Sequence, residues 1–231
     1  TFAMIKCGGG DDGLYEDRKF QQNIQGALAN GIQVGVYFYS GASNAREAYD
    51  EASYCISLIR DYQITYPVAF DWELDGDYDS VTEACETFCN VISSYGYQPM
   101  VYSNRNRWYN NFDGEKIASK YKVWMAAYFG KFYYDSVRWT YGDDLPNFRY
   151  HYDMWQYSSR CYVDGISGQV DVDIAFFGYA NYHVDTKDAV LTVTNKEIKR
   201  TYGDGIGRLT EELNLLDGVK GINTIGYDMD I

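Results

Sequence analysis

Short apolar segments alternate with longer amphipathic ones along the first 180 residues of the chain. The apolar segments carry few charges, which is typical of buried β-strands, and the amphipathic segments place their apolar residues at helical spacing. This pattern predicts helices at 17–31, 43–62 and 80–95, with Ser43 as the N-cap of the second. It predicts strands at 2–6, 34–39, 67–73, 98–103, 122–128, 152–158 and 169–176.

The order of these elements favours a parallel sheet covered on both sides, because its strands are almost continuously apolar and most are separated by helices. Seven strands are counted up to residue 176, and right-handed crossovers between them lead to a (β/α)8-like barrel that lacks one strand. Helices are sparse in the later half of the chain. We therefore expect the α/β class, with an irregular TIM-like (β/α) barrel that has fewer than eight helices.

Two carboxylates stand at the end of the third predicted strand, in the segment PVAFDWE. Asp71 and Glu73 are two positions apart in an extended chain, so both point to one face, roughly 7 Å apart at Cα, and Trp72 points to the other. Active sites of such barrels lie at the carboxyl ends of the strands. A carboxyl pair there suits glycosyl transfer to water, one group protonating the leaving oxygen and the other stabilising positive charge on the sugar. The competing interpretation is two helix-capping acids in a loop.

A second acidic pair lies in the last predicted strand, QVDVDIAF. Asp171 and Asp173 have apolar neighbours, and carboxylates inside such a run are costly unless they are paired or functional. Aromatic residues make up 18% of the chain, and several of them fall at the ends of other strands. An aromatic ring offers an apolar face to a pyranose, and a tyrosine hydroxyl adds a hydrogen bond. The candidate substrate-binding residues are Tyr37, Tyr39, Tyr102, Trp124, Tyr128, Gln156 and Asp173.

The charge balance argues against some classes of binding partner. The chain has 33 acidic and 20 basic residues and a formal net charge of -13, which argues against nucleic acid and against an anionic surface. No apolar run has the length of a membrane-spanning helix. The five cysteines have no metal-ligand spacing, and we expect them to be buried reduced thiols. A neutral polymer, bound through hydrogen bonds and stacking, fits this composition.

Seven segments of the chain resemble, in the same order, family 25 of the glycoside hydrolases, the lysozymes or muramidases that cut peptidoglycan. They run from Phe2 to about Gly178 and read FAMIKCGGG, GALANGIQVGVYFYS, YPVAFDWEL, GYQPMVYSN, VWMAAY, WQYSS and GISGQVDVDIAFFG. The resemblance implies a TIM-like barrel with few helices and cleavage of the β-1,4 bond between N-acetylmuramic acid and N-acetylglucosamine. It implies peptidoglycan strands as the partner, no metal or organic cofactor, and action outside the cell or at the cell wall, reached by secretion or by a phage.

The same resemblance implies a role for each carboxylate. Glu73 matches the general acid of the family, and Asp71 matches its partner in the D-x-E pair. Asp171 matches the late-strand aspartate, and Asp173 falls where the family often has asparagine. For Glu73 to hold a proton near neutral pH, burial and a neighbouring negative charge must raise its pKa, and we expect Asp71 to supply that charge.

Two mechanisms stay open for the reaction. In the first, the 2-acetamido oxygen of the substrate attacks the anomeric carbon while an acid orients it, a route that departs from the ordinary two-carboxylate scheme. In the second, water attacks directly, with Asp71 or Asp171 as the base. Glu73 protonates the leaving group in both.

The family pattern includes an opening strand with a G-[IFY]-D-[VIM]-S core and an active-site aspartate, and this chain starts after it, so we expect sequence upstream. The last residues, IGYDMDI, resemble that strand, with Asp228 as the aspartate and Asp230 in place of the usual serine. They either complete their own barrel by permutation, begin a second copy, or form a coincidental strand in a linker. The predicted organisation is a glycosidase barrel at 1–180, a linker or small appendage at 181–225, and this candidate strand at 226–231.

Two other functions stay open. A non-catalytic module that binds the cell wall or belongs to a phage particle would keep the cleft without turnover, and a glycosidase of another specificity, such as a chitinase, would use similar acids. The presence of both Asp71 and Glu73 favours catalysis, because binding alone needs no buried acid pair. The segment LTEELNLLDGVKG resembles repeats of phage tail fibres and points to a phage or prophage origin. The oligomeric state is not predicted.

Overall fold

The computed structural model describes residues 1–74, 80–130 and 144–177, and, farther along the chain, three short strands at 190–193, 219–222 and 228–229. Its main feature is a sheet of eight strands from the first part of the chain. The strands are β1 (Phe2–Gly9), β2 (Tyr15–Glu16), β3 (Gln33–Ser40), β4 (Val68–Trp72), β5 (Pro99–Asn104), β6 (Lys122–Ala126), β7 (Met154–Cys161) and β8 (Val170–Ala175).

Six strands of this sheet run parallel, in the order β1, β3, β4, β5, β6 and β7. All seven predicted strands are present, and the α/β class is confirmed. The expectation of a wholly parallel sheet is wrong for β8, which runs antiparallel to β7. Only residues 162–169 connect the two, and a parallel crossover needs a dozen or more residues. The short edge strand β2, antiparallel to β1, was not predicted.

Five helices lie among the described residues: α1 (Phe20–Ala29), α2 (Ala45–Ile59), α3 (Val81–Ser94), α4 (Arg105–Asn110) and α5 (Gly114–Ala118). The three long ones fall within the predicted ranges. The N-cap of α2 is Asn44 and not Ser43, because the Asn44 side chain accepts the Glu47 backbone N–H at 3.1 Å. Ser43 instead donates its own N–H and hydroxyl to the Glu47 carboxylate. In the part of the chain that the structure describes, none of the helices has the length and apolar character needed to cross a membrane.

Alternate residues of the parallel strands point to opposite faces of the sheet. On the outer face, Val68, Phe70 and Trp72 of β4 pack into a large buried cluster that includes helix residues such as Phe88. On the inner face, Ala69 belongs to a smaller buried cluster. The other buried members of this inner cluster are Tyr66, Met100, Tyr102, Trp124, Ala126 and Met154. The helices therefore cover one face, and the inner face is left to carry aromatic and polar side chains.

Residues Ala180–Ile231 form a second compact unit. Its described strands are β9 (Val190–Val193), β10 (Val219–Ile222) and β11 (Asp228–Met229), which form a three-stranded antiparallel sheet with β10 in the centre. The strand expected at 226–231 thus pairs with β10. The side chain of Asp228 lies outside the described residues, and its membership of the acidic cleft stays a prediction.

Candidate active site

The candidate site lies where the parallel strands β3 to β6 end. Tyr39, Asp71, Tyr102 and Trp124 come from four successive strands and lie side by side, because the register pairs each of them with the next. Glu73 follows directly after the end of β4. The strand ends therefore gather two carboxyls and three aromatic rings on the inner side of the sheet.

The antiparallel direction of β8 brings the second acidic pair to the same rim. Asp173 is the register partner of Gln156 on β7, and Asp171 stands two residues nearer to the start of β8, on the same face. Because β8 runs against β7, its start lies beside the end of β7, where the register pairs Val170 with Cys161. A parallel β8 would have carried both aspartates to the opposite rim.

A cavity of about 860 Å³ opens among these side chains. An adjoining cavity of about 550 Å³ is lined by Tyr128 and shares Glu73 and Tyr102 with the first. The structure thus brings together every predicted site residue whose side chain it describes; the side chain of Asp228 lies outside the described residues. Those that line the larger cavity are Asp71, Glu73, Asp171, Asp173, Tyr37, Tyr39, Tyr102, Trp124 and Gln156.

Asp71 is the most deeply buried of the four carboxyls, with only 4% of its surface exposed. Burial raises its pKa well above the usual aspartate range, the neighbouring Glu73 raises it further, and Lys6 opposes the shift. Among the described residues, its Oδ1 atom has no hydrogen-bond partner. A buried carboxyl oxygen is costly without a donor, so this atom is a candidate acceptor for a donor group on a bound ligand.

Glu73 is partly buried, and this burial raises its pKa above the usual glutamate range. Arg107 opposes the shift, and the negative charge of Asp171 reinforces it. The expectation that Asp71 supplies this charge is therefore corrected: the negative charge that raises the pKa of Glu73 is that of Asp171, and Glu73 in turn raises the pKa of Asp71. Arg107 also donates from Nε to the Leu74 carbonyl at 3.1 Å, which fixes the chain directly after Glu73.

The two carboxyls on β8 differ in their surroundings. Trp124 Nε1 donates to Asp173 Oδ1 at 2.7 Å, yet burial raises the pKa of Asp173 to about 8, with a further contribution from Asp171. Asp171 is exposed by comparison, and partial burial raises its pKa above the usual aspartate range. Burial thus raises the pKa of each of the four carboxyls in the cleft, and these carboxyls titrate as an interacting group.

Hydrogen bonds and ring contacts fix the aromatic lining. Gln156 Oε1 accepts from the Tyr102 hydroxyl at 2.9 Å and also from the Tyr128 hydroxyl. The ring of Trp124 lies 4.5 Å from that of Tyr102 and meets Tyr37 edge-on at 6.2 Å. Because each ring is held by a neighbour, the cavity has a preformed wall for an apolar sugar face.

The site also contains two cationic side chains that were not selected from the sequence. Lys6 Nζ lies 4.7 Å from the centre of the Tyr39 ring and 5.6 Å from that of Tyr15, and Lys6 lines the larger cavity. Its signal was a lysine inside the apolar strand FAMIK, which is costly unless it has partners. Arg107, on α4, had no comparable signal because it lies outside the predicted strands and their ends.

Other chemistries find less support among residues 1–74, 80–130 and 144–177. No group of three or more His, Cys, Asp and Glu side chains there is placed to hold a metal ion. All five cysteines are buried and free, as expected. The Sγ atoms of Cys7 and Cys55 are 3.7 Å apart in the core, so these thiols act as small core side chains.

The chain is similar to several known proteins. The autolytic lysozyme of Clostridium acetobutylicum is 25% identical over 224 residues, which cover 91% of this chain and 59% of that protein. The lysozyme of Streptococcus phage Cp-1 is 29% identical over 137 residues, or 55% of this chain and 37% of that one. The modular autolysin LytC of Streptococcus pneumoniae, solved in complex with a synthetic peptidoglycan ligand, has a TM-score of 0.57 and 27% identity, over 74% of this chain and 39% of LytC. The chain thus spans less than two thirds of each relative.

The family model of glycosyl hydrolases family 25 matches residues 1–166, which is well over half of the chain. This range contains β1 to β7 together with Asp71 and Glu73, and it ends before Asp171. The resemblance seen in the sequence is thereby confirmed, and with it the irregular TIM-like fold with few helices. The chain belongs to family 25 of the glycosyl hydrolases.

Proposed function

We propose that the chain hydrolyses the β-1,4 bond between N-acetylmuramic acid and N-acetylglucosamine in peptidoglycan, with Glu73 as the general acid. The observation that carries the proposal is the larger cavity, in which four carboxyls with raised pKa face a wall of aromatic rings. Carboxyls in pairs perform glycoside hydrolysis, and rings bind sugar faces.

The position of Glu73 between two cavities supports its role as the acid. A general acid has to reach the oxygen that joins two sugars, and Glu73 lines both hollows. The larger hollow, with the aspartates, takes the muramic sugar whose anomeric carbon reacts. The smaller hollow, which Asn104, Arg105 and Asn147 also line, takes the leaving glucosamine unit.

The raised pKa of Glu73 supports proton transfer near neutral pH. Glu73 gives its proton to the glycosidic oxygen as the bond from C1 to that oxygen breaks, and the glucosamine unit leaves with a free 4-hydroxyl. The resulting carboxylate then takes a proton from the water whose oxygen bonds to C1, which restores the acid. Asp171, the most exposed of the four carboxyls, stabilises positive charge on the sugar ring as a carboxylate.

The buried Oδ1 atom of Asp71 favours the route through the substrate's own acetamido group. The N–H of that group supplies the donor which Oδ1 lacks among the described residues, and this contact turns the acetamido oxygen toward C1. Attack by that oxygen gives a cyclic intermediate, which water opens. Direct attack by water with Asp171 as the base would leave the buried oxygen atom of Asp71 without a role.

The relatives support the same class of substrate and a place of action at the cell wall. They are two lysozymes and an autolysin, and the autolysin was solved with a synthetic peptidoglycan ligand. Because this chain spans only part of each relative, the assignment to peptidoglycan rests on the cleft as well as on these names.

Clearing of a cell-wall suspension tests the proposal, with wild type compared to Glu73→Gln. We expect the variant to fold and to lose about 10³-fold or more in rate, because the amide is too weak an acid to protonate the leaving oxygen. Glu115→Gln is the matched control, since Glu115 is an exposed residue of α5 away from both cavities. Reduction of the products with borohydride should convert muramic acid, and not glucosamine, to its alditol.

Three outcomes would contradict the proposal in different ways. Equal clearing by Glu73→Gln would remove Glu73 from the acid role. Release of reducing glucosamine ends, or faster cutting of chitin oligomers, would assign another glycosidase specificity. Binding to cell walls by wild type without any new reducing ends would assign a non-catalytic binding module.

A further inference from the structure

Glu51 is a buried carboxyl outside the cleft. It lies on α2, it is only 3% exposed, and it lines neither of the two cavities. Burial raises its pKa to about 7. A carboxyl in a core is costly unless its hydrogen bonds serve the fold or the site, and the reaction described above does not use this group.

The carboxyl of Glu51 holds the three residues at the end of β3. Ser40 donates from Oγ to Glu51 Oε2 at 2.5 Å, and the Gly41 backbone N–H donates to Oε1 at 2.8 Å. The Ala42 backbone N–H donates in turn to Ser40 Oγ at 3.1 Å. The carboxyl also packs directly against Gly10, in the segment that follows β1. A Cβ atom at this position would lie only 2.1 Å from Glu51 Oε1.

This turn holds the indole of Trp72. Trp72 Nε1 donates to the Ala42 carbonyl at 3.3 Å, and the Trp72 carbonyl accepts from Ser103 Oγ at 2.8 Å. The side chain of Trp72 is fully buried on the outer face, and its backbone joins Asp71 to Glu73. A shift of the indole therefore moves the segment from which both carboxyls project.

We propose that Glu51 is a positioning residue for the reaction, which sets the place of Asp71 and Glu73 through the Ser40–Ala42 turn and Trp72. The inference rests on the proposed hydrolysis. A displacement of reacting groups by about 1 Å from a change far from the chemistry can cost on the order of 10²-fold in rate. Glu51 touches no reacting atom, so its effect falls on turnover and leaves sugar binding in place.

The experiment measures kcat and KM on soluble, uncross-linked peptidoglycan chains by the release of reducing ends. We expect Glu51→Ala to lower kcat by about 10- to 100-fold with KM changed less than about threefold. Glu51→Gln keeps the shape and can still accept from Gly41, so it should stay within about threefold of wild type. Asp50→Ala is the control, because Asp50 is the exposed neighbour of Glu51 on α2 and pairs only weakly with Arg46, at 3.7 Å.

A double-mutant cycle tests the route through the indole. Trp72→Phe removes the N–H that bonds to Ala42, so Glu51→Ala should cost less than about twofold in the Trp72→Phe background. Additive losses would overturn the proposal. So would an unchanged kcat in folded Glu51→Ala, a loss that appears only in KM, or a Glu51→Gln variant as slow as Glu51→Ala.

If Glu51→Ala does not fold, Ser40→Ala still tests the proposal. This change removes the hydroxyl between Glu51 and Ala42 and leaves Glu51 bonded to Gly41, and we expect a severalfold loss of kcat. A folded Ser40→Ala with the wild-type kcat would overturn the proposal. If wild type itself releases no reducing ends, the proposed hydrolysis has failed, which is a different result from an active wild type that tolerates Glu51→Ala.

Discussion

The two faces of the large sheet are formed by the same strands but have different roles. On β4, Phe70 and Trp72 point outward into a closed apolar core under the helices, and Asp71 points inward to the cavity. The outer side chains Phe70 and Trp72 are completely buried. The inner face also has a buried cluster, but it is smaller and ends at carboxyls.

This contrast shows how one strand can serve stability and chemistry at adjacent positions. The outer face gains free energy by removing apolar surface from water. The inner face keeps carboxyls at reduced solvation, which raises their pKa and costs stability. Changes on the outer face should therefore lower stability, and changes of the inner acids should lower activity while sparing or even raising stability.

Phe70→Ala should give the largest effect, and on stability alone. Phe70 is fully buried between strands and helices, 5.2 Å from the ring of Phe88, so the loss of its ring leaves a cavity. We expect the free energy of unfolding to fall by about 3–5 kcal/mol, measured by urea denaturation. At low temperature, the folded fraction should keep a kcat within a few fold of wild type. A folded variant that loses most of its kcat would break the separation of the two faces.

Asp71→Ala should give the opposite result at the next position. We expect a loss of about 10²–10³-fold in kcat, because the acetamido group loses the acceptor that orients it. The free energy of unfolding should be unchanged or raised, since a buried carboxyl oxygen with no donor disappears. A drop in stability similar to that of Phe70→Ala would contradict the assignment of Asp71 to chemistry.

The same variant distinguishes the two mechanisms. On substrate whose muramic residues have lost the N-acetyl group, wild type should slow about as much as Asp71→Ala does on normal substrate, and Asp71→Ala should slow no further. Full additivity of the two losses would favour direct attack by water, with Asp171 as the base.

The outer face was the easier half to predict. Its strands are almost continuously apolar, so all seven appeared in the sequence and are present in the structure. The strand β8 was predicted but its antiparallel direction was not, because strand direction depends on the length of a connection and not on the strand's own pattern. The N-cap was misplaced by one residue, since Ser43 and Asn44 are both good caps and only the geometry selects Asn44.

The residues of the inner face were predicted from the sequence, but the pKa shifts of its carboxyls, apart from that of Glu73, were not. The strand ends and the resemblance together selected ten side chains that the structure gathers around two cavities. The pKa shifts of the other carboxyls and their causes could not be read from the sequence, because burial of each group depends on strands far away in the chain. Lys6, Arg107 and Glu51 were passed over for the same reason. Asp228 stays a prediction.

The pH dependence of stability should distinguish Asp173, an inner carboxyl that titrates, from the apolar side chains of the outer face. Its pKa is raised to about 8 in the folded state, against about 3.9 for an unperturbed aspartate. The folded protein therefore binds the proton more tightly, and this contribution to stability is lost as pH rises from about 4 to about 8. In Asp173→Asn this loss is absent, while the amide oxygen can still accept from Trp124. The melting temperature of the variant relative to wild type should therefore be higher at pH 9 than at pH 5. The same difference between variant and wild type at both pH values would contradict the burial of Asp173.

The smallest effect is expected where the outer layer meets solvent. Glu86 on α3 bonds to Lys116 at 2.6 Å and to Lys120 at 2.5 Å, but the two lysine side chains are 46% and 49% exposed. Exposed ion pairs contribute little, so Glu86→Gln should lower the free energy of unfolding by about 0.5–1 kcal/mol, with less effect at high salt. Denaturation in low and high salt measures this, and kcat should not change. A change in kcat would mean that the helical layer controls the cleft by a route other than Glu51 and Trp72, and the division of labour between the two faces would then not hold.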